Sequence, residues 1–167
     1  MIDVSEVPTA AAAVAHTGSG DWLVVGVCMP WRVNAPALPS NAAPGKKTGP
    51  ERWLHVLEQL DKAVERLTKE KSGLPLAIAG DFNQTLTGRF VGSREGRCRL
   101  EQFLVGHGLS AFTADAPSAK AGCPSVDHIC APAANSEVFT FPDMAEVAGR
   151  GIISDHLGYE ISVGSGL

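Results

Sequence analysis

The sequence of 167 residues lacks a long apolar run, and this absence excludes a helix that spans a membrane. Its longest uninterrupted apolar stretch covers residues 22–29, whereas a transmembrane helix needs about 20 apolar residues. The first fifteen residues carry Asp3 and Glu6 and lack the positively charged start of a secretory signal. The sequence therefore predicts a cytoplasmic location.

The sequence also has no excess of basic residues and no paired cysteine motif. Lys and Arg total 14 against 18 Asp and Glu, a net charge of −4, which argues against a protein that coats duplex DNA through a broad basic face. A local phosphate site is compatible with this balance. The cysteines show no CxxC spacing, so the sequence indicates neither a zinc knuckle nor a redox pair. We therefore expect buried free thiols. The four cysteines are Cys28, Cys98, Cys123 and Cys130.

What the sequence does contain is enough apolar residues for one packed core. Hydrophobic residues make up 44% and charged residues 19%, so we expect residues 1–167 to form a single domain. The 18 glycines and 11 prolines predict many turns, and residues 34–49 form the longest predicted loop.

Hydrophobic periodicity predicts strands before, between and after two helices. Residues 11–16 and 22–28 indicate a hairpin, and a capping box at residues 48–51 begins a helix that ends near residues 72–73. A second helix is predicted over residues 95–107, with Gly108 as its left-handed end. The further predicted strands cover residues 74–79, 110–113, 126–130, 138–141 and 159–163. This order is typical of an α/β chain of the α+β type with mostly antiparallel strands.

Three polar segments lie at the ends of predicted strands, where a sheet can direct side chains into one cleft. They are residues 80–83 (Gly-Asp-Phe-Asn), 125–128 (Ser-Val-Asp-His) and 154–156 (Ser-Asp-His). In extended backbone Asp81 and Asn83 face the same side while Phe82 turns into the core. A carboxylate beside an amide can hold a water and donate to a phosphoryl oxygen.

Each of these residues also has a structural interpretation that the sequence leaves open. Asp81 and Asn83 can form an Asx turn that caps the strand. Asp127 can be a surface loop charge, and His156 can be a half-buried histidine with a structural hydrogen bond. The order of the three segments along the chain favours a functional site.

In this order, residues 75–83, 126–129 and 154–156 resemble the GDFN, (I/V)DHI and SDH motifs of the endonuclease/exonuclease/phosphatase superfamily. The resemblance runs from about residue 22 to residue 163, which is most of this chain but only the later part of the usual family domain. It implies a divalent-metal-dependent phosphoester hydrolase on a sandwich of two sheets flanked by helices.

The resemblance also implies a role for each matching residue. Asp81 would orient and activate the attacking water, and Asn83 would bind the scissile phosphate. Asp127 would hydrogen-bond His156, which would stabilise the pentacovalent transition state or assist the leaving group. Asp155 would contribute to a site for Mg²⁺ or Mn²⁺, since magnesium prefers oxygen ligands.

The chain departs from the family pattern in two places. The family supplies an asparagine and a metal-binding glutamate from its first strands, and this chain begins after them; Glu6 has a different setting and does not take that role. Cys28 stands where many members have a histidine or tyrosine near the phosphate, and a thiol is a weaker donor. The expected fold is therefore an N-terminally truncated sandwich.

Truncation of a sandwich would leave an apolar sheet face or a strand edge bare. We therefore expect a homo-oligomer, or a partner polypeptide that covers this surface. The alternative is that the chain is a fragment of a longer protein.

The densest basic stretch follows the Asp81 segment. Arg94 and Arg97 are candidate phosphate contacts, with Arg89 and Arg99 nearby, and a solvated loop and helix start is the alternative. Trp31 and Trp53 are candidates for stacking on a base or sugar, although core packing is the stronger expectation for Trp53.

Two functions remain open at this point. The first is a metal-dependent nuclease or phosphatase, and the second is a catalytically inactive domain that serves as a binding or assembly module. Nucleic acid, inositol phosphate and phospholipid headgroups are all substrates compatible with the motifs.

Overall fold

The computed structural model describes residues 1–31, 49–88, 91–118, 122–133, 136–141, 146–147, 151–152 and 156–163. The predicted loop over residues 34–49 lies almost entirely outside them. The elements, in chain order, are β1 (Ala10–Thr17), β2 (Gly20–Cys28), α1 (Gly49–Glu70), β3 (Leu76–Asp81), α2 (Arg94–Gly106), β4 (Leu109–Ala111), β5 (Asp127–Pro132), β6 (Ser136–Phe141), β7 (Glu146–Val147), β8 (Gly151–Ile152) and β9 (Gly158–Val163).

The main sheet has five strands in the order β1-β2-β3-β5-β4. Its neighbours pair antiparallel except β2 and β3, which are parallel because α1 crosses over between them. A second sheet pairs β6 with β9, and a small ribbon pairs β7 with β8. The predicted α+β class with mostly antiparallel strands is confirmed. The two-residue strands of the ribbon are too short for a sequence pattern to reveal.

The predicted hairpin is confirmed, because β1 and β2 pair along their whole length from Ala10 opposite Val27 to Thr17 opposite Gly20. Gly20 has a φ of +126°, a conformation that glycine adopts without steric cost. The turn is closed by the Thr17 hydroxyl, which donates to the Gly20 carbonyl at 2.6 Å. The hairpin therefore forms from local contacts.

Helix α1 is confirmed and packs its apolar stripe on the sheet. The buried members of that stripe recur at three- and four-residue steps, as an amphipathic helix requires. They are Trp53, Val56, Leu57, Leu60, Ala63, Val64 and Leu67. On the solvent side Lys69 donates to Glu65 at 2.7 Å, an opposite-charge pair four residues apart.

Helix α2 is also confirmed, and apolar residues at three- and four-residue spacing form its inward face. Leu100, Phe103 and Leu104 are buried, and Gly108 has a φ of +66° just beyond the helix end. The Ser93 hydroxyl caps the N-terminus by accepting from the Gly96 N–H at 2.8 Å. The core thus joins both helices to the main sheet.

Two expectations about packing need correction. The apolar run over residues 74–79, which lacks a helical period, predicts a strand covered on both faces, but in β3 only Leu76 and Ile78 are buried while Ala77 and Ala79 are half-buried. The thiols were expected to be buried, but only Cys123 and Cys130 are. Cys28 and Cys98 are exposed, because one ends a strand and the other lies on the outer face of α2.

Strand β1 forms one edge of the main sheet. Among the described residues, a further backbone contact covers only its early part, where the Ile2 N–H donates to the Ala12 carbonyl at 2.8 Å. Backbone N–H and C=O groups alternate in direction along a strand. Those of Val14 and His16 therefore point away from β2, as those of Ala12 do. The expected self-association stays a prediction, and this edge is where it would occur. Within the described residues, neither helix combines the length and hydrophobicity needed to cross a bilayer.

Candidate functional site

The parallel pairing of β2 and β3 brings the ends of three strands together. Cys28 at the end of β2 lies opposite Asp81 at the end of β3, and Asp81 lies opposite Asp127, the first residue of the antiparallel β5. Two of the predicted site residues are therefore cross-strand neighbours at one end of the sheet. Such neighbours have Cβ atoms about 5 Å apart.

A close approach of β2 and β3 at this end requires Gly80. Its φ is +145°, and a Cβ atom placed there would lie 1.9 Å from the Val27 carbonyl oxygen. Only glycine satisfies both the backbone conformation and the space. Gly80 therefore sets the position of Asp81 at the strand end.

Asp81 and Asn83 lie side by side, as expected, but the backbone that joins them is not extended. The strand ends at Asp81, and Asn83 has a φ of +50°, in the left-handed region that asparagine tolerates. The Asn83 N–H donates to Asp81 Oδ1 at 2.7 Å, which is the Asx turn left open by the sequence. The expected inward turn of Phe82 is correct, since this ring is fully buried.

The side chain of Asn83 is held by two acceptors. Its Nδ2 donates to Asp81 Oδ2 at 2.9 Å and to the Met29 carbonyl at 2.8 Å. Both amide hydrogens therefore have protein partners. To donate to a phosphoryl oxygen, Asn83 must share or exchange one of these hydrogen bonds.

Asp127 and His156 form a direct pair. Asp127 Oδ2 lies 2.7 Å from His156 Nδ1, and the two side chains are partly exposed, by 20% and 40% respectively. Because a carboxylate can only accept, the proton lies on Nδ1, and Nε2 is the ring atom that can act on a substrate. The hydrogen bond expected between these residues is present.

The backbone around Asp127 is fixed by two buried hydroxyls. Ser125 Oγ accepts from the Asp127 N–H and donates to the Asp127 carbonyl, both at 2.9 Å. Thr113 Oγ1 donates to that same carbonyl at 2.9 Å and accepts from the Ile129 N–H at 3.1 Å. The start of β5 is therefore rigid, which favours a precise position for its carboxylate.

The electrostatics of the cluster disfavour ionisation of Asp81. Burial raises the pKa of its carboxyl, the hydrogen bond from the Asn83 N–H lowers it, and the negative charge of Asp127 raises it again, for a net increase. Burial and these two carboxylates also raise the pKa of the exposed Cys28 thiol. A positive charge placed between the carboxylates would reverse these effects.

Asp81, Asp127 and His156 each offer one ligand atom, and these atoms lie within 4.8 Å of one another. Two carboxylates and an imidazole suit a divalent cation such as Mn²⁺, and the carboxylates alone suit Mg²⁺. The donor set therefore fits the expected kind of ion. Asp155, the residue expected to contribute to a metal site, lies outside the described residues.

Three buried side chains with polar atoms hold the segment after Asp81. The sequence indicated the core packing of Trp53, but not the roles of His128 and Gln84. The Trp53 Nε1–H donates to the Phe82 carbonyl at 2.8 Å, and His128 Nε2 donates to the Gln84 carbonyl at 2.8 Å. Gln84 Oε1 accepts from the Ser93 N–H at 2.8 Å. For His128 the sequence did contain one signal: side chains alternate along the predicted strand β5, so His128 lies on the face opposite Asp127.

The predicted phosphate contacts lie in different surroundings. The Arg97 guanidinium donates to the Thr85, Thr87 and Gly88 carbonyls and to Thr85 Oγ1 at 3.0–3.3 Å. These hydrogen bonds make Arg97 a brace for the loop after Asp81, which the sequence did not predict. Arg94 is exposed at the first turn of α2, and Arg89 lies outside the described residues.

Comparison with known proteins supports the fold. No family model matches the sequence, and no curated protein matches it. The structure is similar to that of NExo, a 3'-5' exonuclease from Neisseria meningitidis, with a TM-score of 0.61 at 15% sequence identity. The match covers 91% of this chain and 64% of the exonuclease chain. Nearly the whole of this chain therefore has the fold of part of the exonuclease chain.

Proposed function

We propose that this chain is a metal-dependent phosphoester hydrolase of the endonuclease/exonuclease/phosphatase superfamily, acting as a nuclease. The observation that carries the proposal is the convergence of Asp81, Asp127 and His156 at one end of the sheet. The three come from distant parts of the sequence, and each belongs to one of the three family motifs. Similarity to an exonuclease structure supports the nuclease assignment.

In this proposal Asp81 is the general base that orients and activates the attacking water. A carboxylate at this position can accept the proton of the attacking water in the transition state. Asn83 holds Asp81 in position through two hydrogen bonds and binds the phosphate by sharing its Nδ2 hydrogens.

His156 acts on the other side of the phosphate. Asp127 fixes its tautomer through the 2.7 Å hydrogen bond and favours the imidazolium form. A cationic ring stabilises the charge that develops on the phosphoryl oxygens and can give a proton to the leaving group. Asp127 therefore acts through His156, as a positioning residue.

Asp81 and Asp127 would hold a divalent ion, with Asp155 as a further ligand, while the His156 imidazolium stays outside the ligand set. Such an ion, when bound, neutralises phosphate charge and lowers the pKa of a bound water. Mg²⁺ and Mn²⁺ are the ions proposed, because the carboxylates are hard oxygen ligands.

The proposal is tested by hydrolysis of a generic phosphodiester with Mg²⁺ or Mn²⁺. We expect turnover that Asp81→Ala lowers by at least about 100-fold, because general base catalysis contributes roughly 10²–10⁴. Asp21→Ala is the matched control, since this carboxylate lies near the start of β2, at the opposite end of the strand from Cys28, where it pairs with His16. No turnover with either ion, or full turnover in Asp81→Ala, would overturn it. Metal binding without turnover would favour the inactive binding module instead.

A further inference from the structure

We propose that Trp31 is a stacking platform for a nucleobase of the substrate, beside the phosphate held at Asp81 and Asn83. The position assigned to the phosphate rests on the proposed function. The observation behind the inference is a half-exposed indole directly after the segment that bonds to both of these residues. The substrate class is then a phosphodiester that carries a base.

The backbone links Trp31 closely to the cluster. The Met29 N–H donates to the Asp81 carbonyl at 2.7 Å, and the Met29 carbonyl accepts from Asn83 Nδ2 at 2.8 Å. Trp31 follows two residues later, so its Cα lies at most about 7 Å from that of Met29. Its ring is therefore within reach of a group attached to a phosphate at Asn83.

The path from the sheet to Trp31 is rigid. Met29 is buried, with 1% of its surface exposed, and Pro30 fixes its own φ while restricting Met29 to extended backbone. An aromatic ring on such a support loses little conformational entropy when it stacks. This rigidity is what a binding platform needs.

The exposure of Trp31 distinguishes it from the other two tryptophans. Trp31 is 50% exposed, whereas Trp53 is 3% exposed and uses its Nε1–H on the Phe82 carbonyl. Trp22 is half-buried at the other end of β2. Only Trp31 thus combines an open face with proximity to the cluster.

The chemistry of the surroundings favours a base over the other substrate classes. An inositol polyphosphate needs several cations around each additional phosphate, and neither the Trp31 indole nor the Cys28 thiol supplies one. A membrane surface needs a larger apolar patch and basic residues. Trp31 is the single exposed large aromatic among the residues whose exposure the structure describes, on a chain with a net charge of −4. Every base has a π face that stacks on such a ring.

The first experiment measures binding in EDTA, where hydrolysis cannot occur. A fluorescent oligo-dT is titrated with the wild type, Trp31→Ala and Trp31→Phe, and a strand with abasic sugars in place of nucleosides is titrated in parallel. We expect Trp31→Ala to weaken oligo-dT binding by about 5- to 150-fold. Trp31→Phe should restore most of the affinity, and abasic-strand binding should be unchanged.

The second experiment locates the stacked ring by its fluorescence. Oligo-dT should quench part of the tryptophan emission of the wild type. Trp31→Phe should remove this quenching, and the matched variant Trp22→Phe should keep it. Thymidine 5'-monophosphate is titrated alongside. Tighter binding of oligo-dT identifies a nucleic-acid strand as the source of the base, and tighter binding of the monophosphate identifies a free nucleotide.

Three results would overturn the inference: equal affinity of Trp31→Ala and wild type for oligo-dT, an equal loss on the abasic strand, or quenching by phospholipid vesicles without quenching by oligo-dT. None of these measurements requires turnover. If the phosphodiester assay fails while oligo-dT binding depends on Trp31, the hydrolase proposal fails and the stacking platform stands.

Discussion

Asp127 Oδ2 lies 2.7 Å from Nδ1 of His156, a residue 29 positions further along the chain. The pair connects the start of β5 with the segment before β9. A carboxylate at this distance sets which imidazole nitrogen carries the proton. The pair is therefore the clearest geometric basis for predictions about catalysis.

Asp127→Asn should lower kcat/KM of the phosphodiester reaction by about 100-fold or more. The amide removes the negative charge that stabilises an imidazolium at His156, and it can present the wrong tautomer. The measurement is steady-state kinetics with Mn²⁺, with thermal unfolding as the check on folding. A folded Asp127→Asn variant with unchanged kcat/KM would contradict this role.

Asp81→Asn should gain stability relative to the wild type as pH rises. The folded pKa of Asp81 is raised, so its contribution to the free energy of unfolding is fully present below the unfolded value of about 3.9 and is lost as pH rises through the folded value. An amide has no such loss. Denaturant unfolding without metal at pH 3 and pH 7 measures the difference in free energy of unfolding between the variant and the wild type. The same difference at both pH values would contradict the prediction.

His128 should make the protein sensitive to acid. Burial lowers the pKa of its imidazole, so the stability due to the neutral ring is present above about pH 6.5 and is lost as pH falls through the folded value. His128→Leu should be less stable at pH 8 by about 1–3 kcal/mol, because the Gln84 carbonyl loses this donor. It should also lose less stability between pH 7 and pH 5 than the wild type, as measured by urea unfolding.

Gly80→Ala should destabilise the fold by about 3 kcal/mol or more. Its φ is +145°, and a Cβ atom would overlap the Val27 carbonyl. Gly106→Ala is the matched control, because a Cβ atom there meets nothing within 4 Å. We expect the control to be neutral or slightly stabilising, since alanine favours the helix. Thermal unfolding of both variants compares them, and equal melting temperatures would show that the strands can separate at no cost.

Self-association through the open edge of β1 should depend on backbone hydrogen bonds. We expect the wild type to form dimers in sedimentation, with Val14 and His16 of β1 pairing with the same strand of a second copy. Val14→Pro removes an outward N–H and should give monomers without unfolding, because proline is tolerated on an edge strand. Val14→Thr keeps the N–H and should still dimerise. A monomeric wild type at high concentration would contradict the prediction.

Much of the fold follows from local patterns in the sequence. The period of the apolar residues in α1 and the glycine-rich turn after β1 act over short distances, so both were predictable. At the end of β3 the sequence left both an Asx turn and extended backbone open, because the left-handed Asn83 depends on acceptors at Asp81 and Met29 that only the folded chain supplies.

The candidate site was likewise predictable only in part. The motifs pointed to Asp81, Asn83, Asp127 and His156, but their roles stay a prediction. Arg97 illustrates the limit, because a charged side chain near a motif can equally bind a ligand or its own loop. Which of these occurs depends on the path of residues 85–88, and no sequence period encodes that path.

The crossover between β2 and β3 has a consequence for folding kinetics. The β1–β2 hairpin joins neighbours in sequence and can form within microseconds. The end of the sheet that carries Asp81 and Asp127 needs strands separated by all of α1 and α2, and such long-range pairings are slow. A nascent or partly refolded chain would therefore possess the hairpin well before Asp81 and Asp127 come together, and the approach of these two carboxylates would time the last stage of refolding.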